Sequence, residues 1–183
     1  MTKAPNTVEV TYESFRIPGQ LADYHTVVLT DEEREHAVQK AAAVPESQQE
    51  LTTDYFLQAA FVEKVTNNSA LHAPKQIAHE RALSMGWTLQ QKFEMDQLIA
   101  EFEVGAKQQL RQHIVLLAIA KVEGLEATDT NYANEVERLS SSYSMPIEGL
   151  VGFFAASGKN ESVRQDISVL SKAADFMKQL ALS

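Results

Sequence analysis

The chain of 183 residues contains no cysteine. Disulfides and thiolate metal sites are thereby excluded, and a reducing compartment is the natural expectation. Long hydrophobic runs are missing as well. No window approaches the roughly 18 apolar residues of a membrane span, and the first 30 residues hold no apolar run of signal-peptide type. A soluble, cytoplasmic protein that does not enter a membrane is therefore expected. Glycine is scarce: the seven glycines are dispersed and form neither GxGxxG nor GxxxxGK, so no phosphate-binding loop is present and no nucleotide cofactor is expected. Basic clusters are absent too. The formal net charge is -9, and Lys and Arg fall singly along the chain, which argues against nucleic acid as a partner.

Catalytic constellations are equally lacking. The histidines are His25, His36, His72, His79 and His113, and none stands at metal-ligand spacing from a second ligand. His79-Glu80 has the beginning of a zinc-protease helix, but Leu83 occupies the position of the second histidine. No GxSxG elbow occurs, and Ser140 to Ser142 and Ser157-Gly158 read as helix terminators. Asp31, Glu32 and Glu33 read as the acidic first turn of a helix rather than as an acid-base pair. A non-enzymatic protein without cofactor or metal is expected.

What is present is helix. With 44% hydrophobic residues the chain can bury a core. From Val104 to Gly124, Leu110, Ile114, Leu117 and Lys121 recur at helical spacing, and Val115, Leu116, Ala118 and Ile119 widen the stripe to that of a helix packed on more than one side. Gly124 supplies a left-handed stop, Leu125 can fold back on the last turn, and Thr128 can cap a following helix. Upstream, Thr30 to Glu33 forms a capping box, and the helix it opens should end before Pro45. A second helix from Glu46 carries Leu51, Tyr55, Ala59, Val62 and Val65 as its stripe and ends at Asn67-Asn68.

Pro74 opens a helix to about Ser84 that Gly86 breaks, and Thr88 caps a short one with Leu89 and Phe93. After Thr128 comes a helix with Tyr132, Val136 and Leu139, ended by Ser140 to Ser142. Pro146 then opens a short helix with Leu150, Phe153 and Phe154, which Gly158 closes. The last helix, from about Glu161, steps through Val163, Ile167, Leu170, Ala174, Met177 and Ala181. Residues 1–29 differ: Val8, Val10 and Tyr12 alternate with polar residues, Pro18-Gly19 reads as a turn and His25 to Leu29 as a return strand. The expected architecture is a strand or hairpin segment over 1–29 and a helical domain over 30–183.

Adjacent aromatics such as Tyr55-Phe56 and Phe153-Phe154 cannot both face inward on one amphipathic helix, so some large apolar surface is left outside or in a groove. The order of elements, with Leu110 to Leu125 (LRQHIVLLAIAKVEGL), Ala127-Thr128-Asp129, Tyr143-Ser144-Met145-Pro146, Val163 to Ile167, Phe61 to Val65 and Leu71-His72-Ala73-Pro74, resembles the C-terminal domain of bacterial trigger factor. That domain is related in fold to the helical chaperone domain of SurA. The likeness covers about residues 46 to 183 and resides in the order and spacing of motifs, none of which is catalytic.

The resemblance implies a mainly α fold, a multi-helix body with helical arms, preceded here by a short β-like segment. It implies an ATP-independent chaperone that holds unfolded or nascent polypeptides on scattered apolar patches. The family's full-length member also carries a ribosome-binding domain and a peptidyl-prolyl isomerase domain, which the 45 residues before the match cannot contain, so neither ribosome docking nor isomerase activity is expected. Phe15-Arg16 is similar to the phenylalanine-arginine of the family's ribosome-binding loop, but Ser14 replaces the glycine before it. Client contact is expected at Met145, Phe153 and Phe154, with Phe176 and Met177 as neighbours. A homodimer that covers its own apolar surface stands among the expected partners. The alternative function is a dedicated adaptor or assembly partner of one protein on the same scaffold, favoured by an N-terminal strand free to pair with another sheet.

Overall fold

A computed structural model describes residues 6–12, 14–87, 95–143, 145–156 and 160–183. Among these the chain forms a two-stranded antiparallel sheet followed by seven helices: β1 (Asn6–Tyr12), β2 (Phe15–Leu21), α1 (Asp31–Ala41), α2 (Glu46–Asn68), α3 (Lys75–Trp87), α4 (Met95–Glu123), α5 (Asp129–Tyr143), α6 (Ile147–Ala156) and α7 (Asn160–Leu182). The fold is mainly α with a short N-terminal β segment, as the alternation and the helical periods predict.

The hairpin turns earlier than Pro18-Gly19. Register runs from Asn6 opposite Leu21 to Tyr12 opposite Phe15, so Pro18 and Gly19 lie inside β2 and His25 to Leu29 forms no strand. Both residues suit an edge. Pro18 has no N–H to give and is tolerated only where none is needed. A Cβ on Gly19 would run into the Ala70 carbonyl and stand 2.7 Å from Leu71 Cδ2. The missing side chain therefore lets the connection after α2 pass close enough for Gln20 and Ala70 to form an isolated bridge, with Ala70 N donating to Gln20 O at 2.8 Å. The alternation predicted for β1 holds: Val8, Val10 and Tyr12 are buried with Ile17 and Leu21 against the helices.

α4 is the central post. Leu110, Ile114, Val115, Ala118 and Ile119 are fully buried, and the helix packs against α2, α3, α7 and both strands. It begins at Met95, ahead of the expected Val104. Its end is as read from the sequence: Gly124 takes φ +63°, Leu125 N donates to Ala120 O at 2.8 Å, and Leu125 packs back on the core. Thr128 Oγ1 then accepts the Asn131 N–H at 3.2 Å and starts α5.

α3 continues through Gly86 to Trp87, contrary to the expected break. Gly86 is the next-to-last residue of the helix, where a glycine costs less than in an interior turn, and α3 packs on α4. The expected short helix at Thr88 to Phe93 and the stop at Gly158 fall outside the described residues. α7 closes the body against α2, α4 and α5, and Gln58 Nε2 donates to Ala174 O at 2.6 Å.

Polar clamps lock the joints. Arg111 of α4 donates to Thr66 O at 3.0 Å, Leu71 O at 3.3 Å and Ser69 O at 3.4 Å, placing a cation on the open carbonyls where α2 ends. Ser69 Oγ donates to Val65 O and accepts the Ala22 N–H. Lys121 Nζ donates to Glu9 O at 2.8 Å, joining α4 to β1. Among the described residues no buried side-chain nitrogen or oxygen lacks a partner, and no helix is long and apolar enough to cross a membrane.

Candidate functional site

α2 carries two apolar rows on opposite sides. Leu57, Phe61 and Val65 step by four and are buried; Leu51, Tyr55 and Ala59 also step by four, but start two residues out of phase, about 200° around the helix. Only one row can meet the core. Leu51 is 70% exposed and Tyr55 62% exposed, which corrects the single stripe drawn through Leu51, Tyr55, Ala59, Val62 and Val65: its first three members face solvent and its last two are core.

Beside this row lies Phe56, half-buried. Its ring meets Tyr55 edge-on at 5.6 Å between centroids, and the Lys40 ammonium of α1 stands 5.5 Å from its centroid. An open groove of about 480 Å³ runs between α1 and α2, floored by Ala37, Phe56, Ala59 and Ala60 and rimmed by Glu33, Lys40, Glu63 and Lys64. Past Lys64 and Asn68 comes a second hollow of about 420 Å³ under Ala22, Thr26, Val27 and Val28. The Lys64 hydrogen bond and the Thr30 N–H, 2.7 Å and 2.6 Å from the Glu33 carboxylate, hold that carboxyl below its ordinary range. Val38 on α1 is exposed as well.

A second apolar corner lies where α5 turns into α6. Met145 and Ile147 are exposed there, and Ser140 Oγ donates to Met145 O at 2.6 Å. Met145 thus occupies surface. Met177 does not: it is fully buried in the core, and the seam position that made it a candidate for contact is the position that buries it. Phe176 is half-buried against the rings of Tyr24 and His25, at 6.2 Å and 6.4 Å. The side chains of Phe153 and Phe154 lie outside the described residues, although both fall on α6. From sequence, Leu51 and Tyr55 read as part of the core stripe of α2, Tyr55 being marked otherwise only by its adjacency to Phe56, and Val38 and Ile147 were not singled out. The opposed rows of α2 were the available signal, together with the Tyr55-Phe56 adjacency.

The remaining titratable contacts are structural in form. Buried Tyr24 donates to Glu123 at the end of α4; burial first, then that carboxylate, push the phenol pKa up and keep it protonated. His25 Nε2 lies 3.3 Å from the same carboxylate. Arg81 of α3 donates to the Tyr12 hydroxyl and sits 5.5 Å from its ring centroid. Burial and the nearby Arg81 lower the pKa of His113. Among the described residues no group of three or more His, Cys, Asp or Glu is placed to hold a metal ion. The described surface carries two separate apolar patches, Leu51 and Tyr55 beside the α1–α2 groove and Met145 with Ile147 near the start of α6.

Comparison with known proteins agrees with that geometry. The trigger factor of Halalkalibacterium halodurans is 25% identical over 140 residues, covering 68% of this chain and 32% of the relative. That of Clostridioides difficile is 32% identical over 103 residues, 48% of this chain and 24% of the relative. That of Bacillus cytotoxicus is 23% identical over 210 residues, covering 93% of this chain and 48% of the relative. The chain thus spans between a quarter and a half of the length of these relatives. No solved structure matches it. The family described as bacterial trigger factor protein C-terminus matches residues 46–178, most of the chain and all of α2 to α6, and to this family the chain belongs.

Proposed function

We propose that this chain is an ATP-independent holdase that binds unfolded or nascent polypeptide on apolar patches of its helical body. One observation carries the reading: the Leu51, Tyr55 and Ala59 row turns a second apolar face of α2 to solvent while the core is already complete without it. Met145 and Ile147 supply a separate patch of the same character, and methionine and aromatic surfaces adapt to varied partners. Family membership supports the reading, since trigger factor is a chaperone that works without nucleotide hydrolysis.

Burial of client apolar surface stabilises the complex by roughly 25 cal/mol per Å². A long unfolded client engages several weak patches at once, so avidity adds to single-site affinity. The proposed client surface is Leu51, Tyr55 and Phe56 with Met145 and Ile147; Phe153 and Phe154 of α6 remain in the proposal, and Met177 leaves it. The test is suppression of aggregation, by light scattering, of several unrelated unfolded proteins. Protection of most of them at near-stoichiometric chain supports a holdase. Protection of none, together with a single tight partner, overturns it in favour of a dedicated adaptor.

A further inference from the structure

We infer that α1 is a releasable lid over the client-binding face of α2. This rests on the holdase reading above and adds its regulation.

α1 precedes the residues 46–178 that match the C-terminal family model and packs chiefly on α2. What it buries there is slight: Ala37 and Ala41, one methyl group each, whereas its larger apolar residue, Val38, faces solvent. The groove beneath it is incompletely filled, and so is the hollow under residues 22–28 that lead into it. Its tethers to α2 are instead polar and near the surface. Glu33 pairs with Lys64 at 2.7 Å, with both side chains about a third exposed, and Lys40 covers Phe56. Such contacts are weak and screened by salt.

The helix itself is well made, because Thr30 and Glu33 close a full capping box. α1 is thus built to leave α2 as an intact helix. Leu29, 3% exposed, pins its root to the core, and the turn at 42–45 joins it to α2. Lifting α1 uncovers Phe56 and Ala60 beside the already exposed Tyr55 and Ala59, and turns a narrow row into a broad apolar face. A client segment competes with α1 for that face.

The experiment compares the full chain with Lys64→Gln, a change that cuts the tether but leaves the capping box intact. Amide exchange of α1 and α2 is followed by mass spectrometry at low and high salt, and binding of reduced, carboxymethylated lactalbumin is measured in parallel. The expected result is α1 exchange about two- to fivefold faster in the variant at low salt, with the amides of Phe61 to Thr66 unchanged and lactalbumin bound more tightly by a similar factor. Salt should speed α1 exchange more in the parent chain than in the variant, which keeps only the Lys40 contact with Phe56. Unchanged α1 exchange, or acceleration shared equally by the α2 core, overturns the lid. Faster α1 exchange with unchanged lactalbumin affinity overturns its regulatory role. Failure of both chains to bind lactalbumin at all overturns the holdase reading instead, and exchange then reports on α1 alone.

Discussion

Lys64 and Glu33 meet at 2.7 Å across the α1–α2 groove, and the same Glu33 carboxylate accepts the Thr30 N–H at 2.6 Å. One carboxylate therefore both starts α1 and fastens it to α2. Its pKa is held below the ordinary 4.5, so it binds fewer protons than in the unfolded chain and contributes stability above that value. That contribution is lost as pH falls from about 4.5 through the lower folded-state pKa. Amide exchange should show α1 loosening in this window before the α2 core, and Glu33→Gln should abolish the difference. Thr30→Ala, which removes the cap, should cost about 1 kcal/mol in denaturant unfolding at pH 7.

His113 gives pH dependence at a different place. Its folded pKa is lowered, first by burial and then by Arg81, so the unfolded chain binds the proton more readily. Stability should therefore fall as pH drops below the ordinary 6.5 toward the folded value, and level off beneath it. Urea midpoints between pH 7.5 and 5 check this. In His113→Leu the decline over that interval should flatten.

Gly19 is held by its neighbours rather than by its dihedrals. A methyl group there meets the Ala70 carbonyl and Leu71 Cδ2, so Gly19→Ala should cost about 1–3 kcal/mol through overpacking, with the Gln20–Ala70 bridge opening. Thermal unfolding followed by circular dichroism measures the loss, and exchange of the Ala70 amide reports the bridge.

These sites also mark how far the sequence could be read. Local chemistry was fully legible at Thr30, Gly124 and Thr128, because a cap or a left-handed stop depends on a few adjacent residues. The core face of α4 was legible because its apolar residues crowd one broad sector. Pro18-Gly19 misled because the same pair that favours a turn also suits an edge strand crossed closely by another segment, and that crossing is set by Ala70, distant in sequence. On α2 the periods of the two rows are identical, and spacing alone cannot say which row α4 and α7 cover. Met177 was misplaced for the related reason that α7 packs against α2, α4, α5 and α6, so its seam is core.

Surface and core should separate cleanly under substitution. Met177→Ala should destabilise the fold by about 2–5 kcal/mol, as loss of a large buried side chain does. Leu51→Ser and Tyr55→Ser should each stay within about 0.5 kcal/mol of the parent, since both residues are mostly exposed. Chemical denaturation of the three variants decides whether the rows of α2 and α7 are assigned correctly.

The most direct measurement of the central claim is the affinity of the full chain and of the double variant Leu51→Ser, Tyr55→Ser for reduced, carboxymethylated lactalbumin, by fluorescence anisotropy. Loss of two large apolar contacts should weaken binding by about tenfold or more while the unfolding midpoint stays unchanged. Equal affinity of the two proteins, at equal stability, would contradict the account that the exposed row of α2 holds unfolded polypeptide.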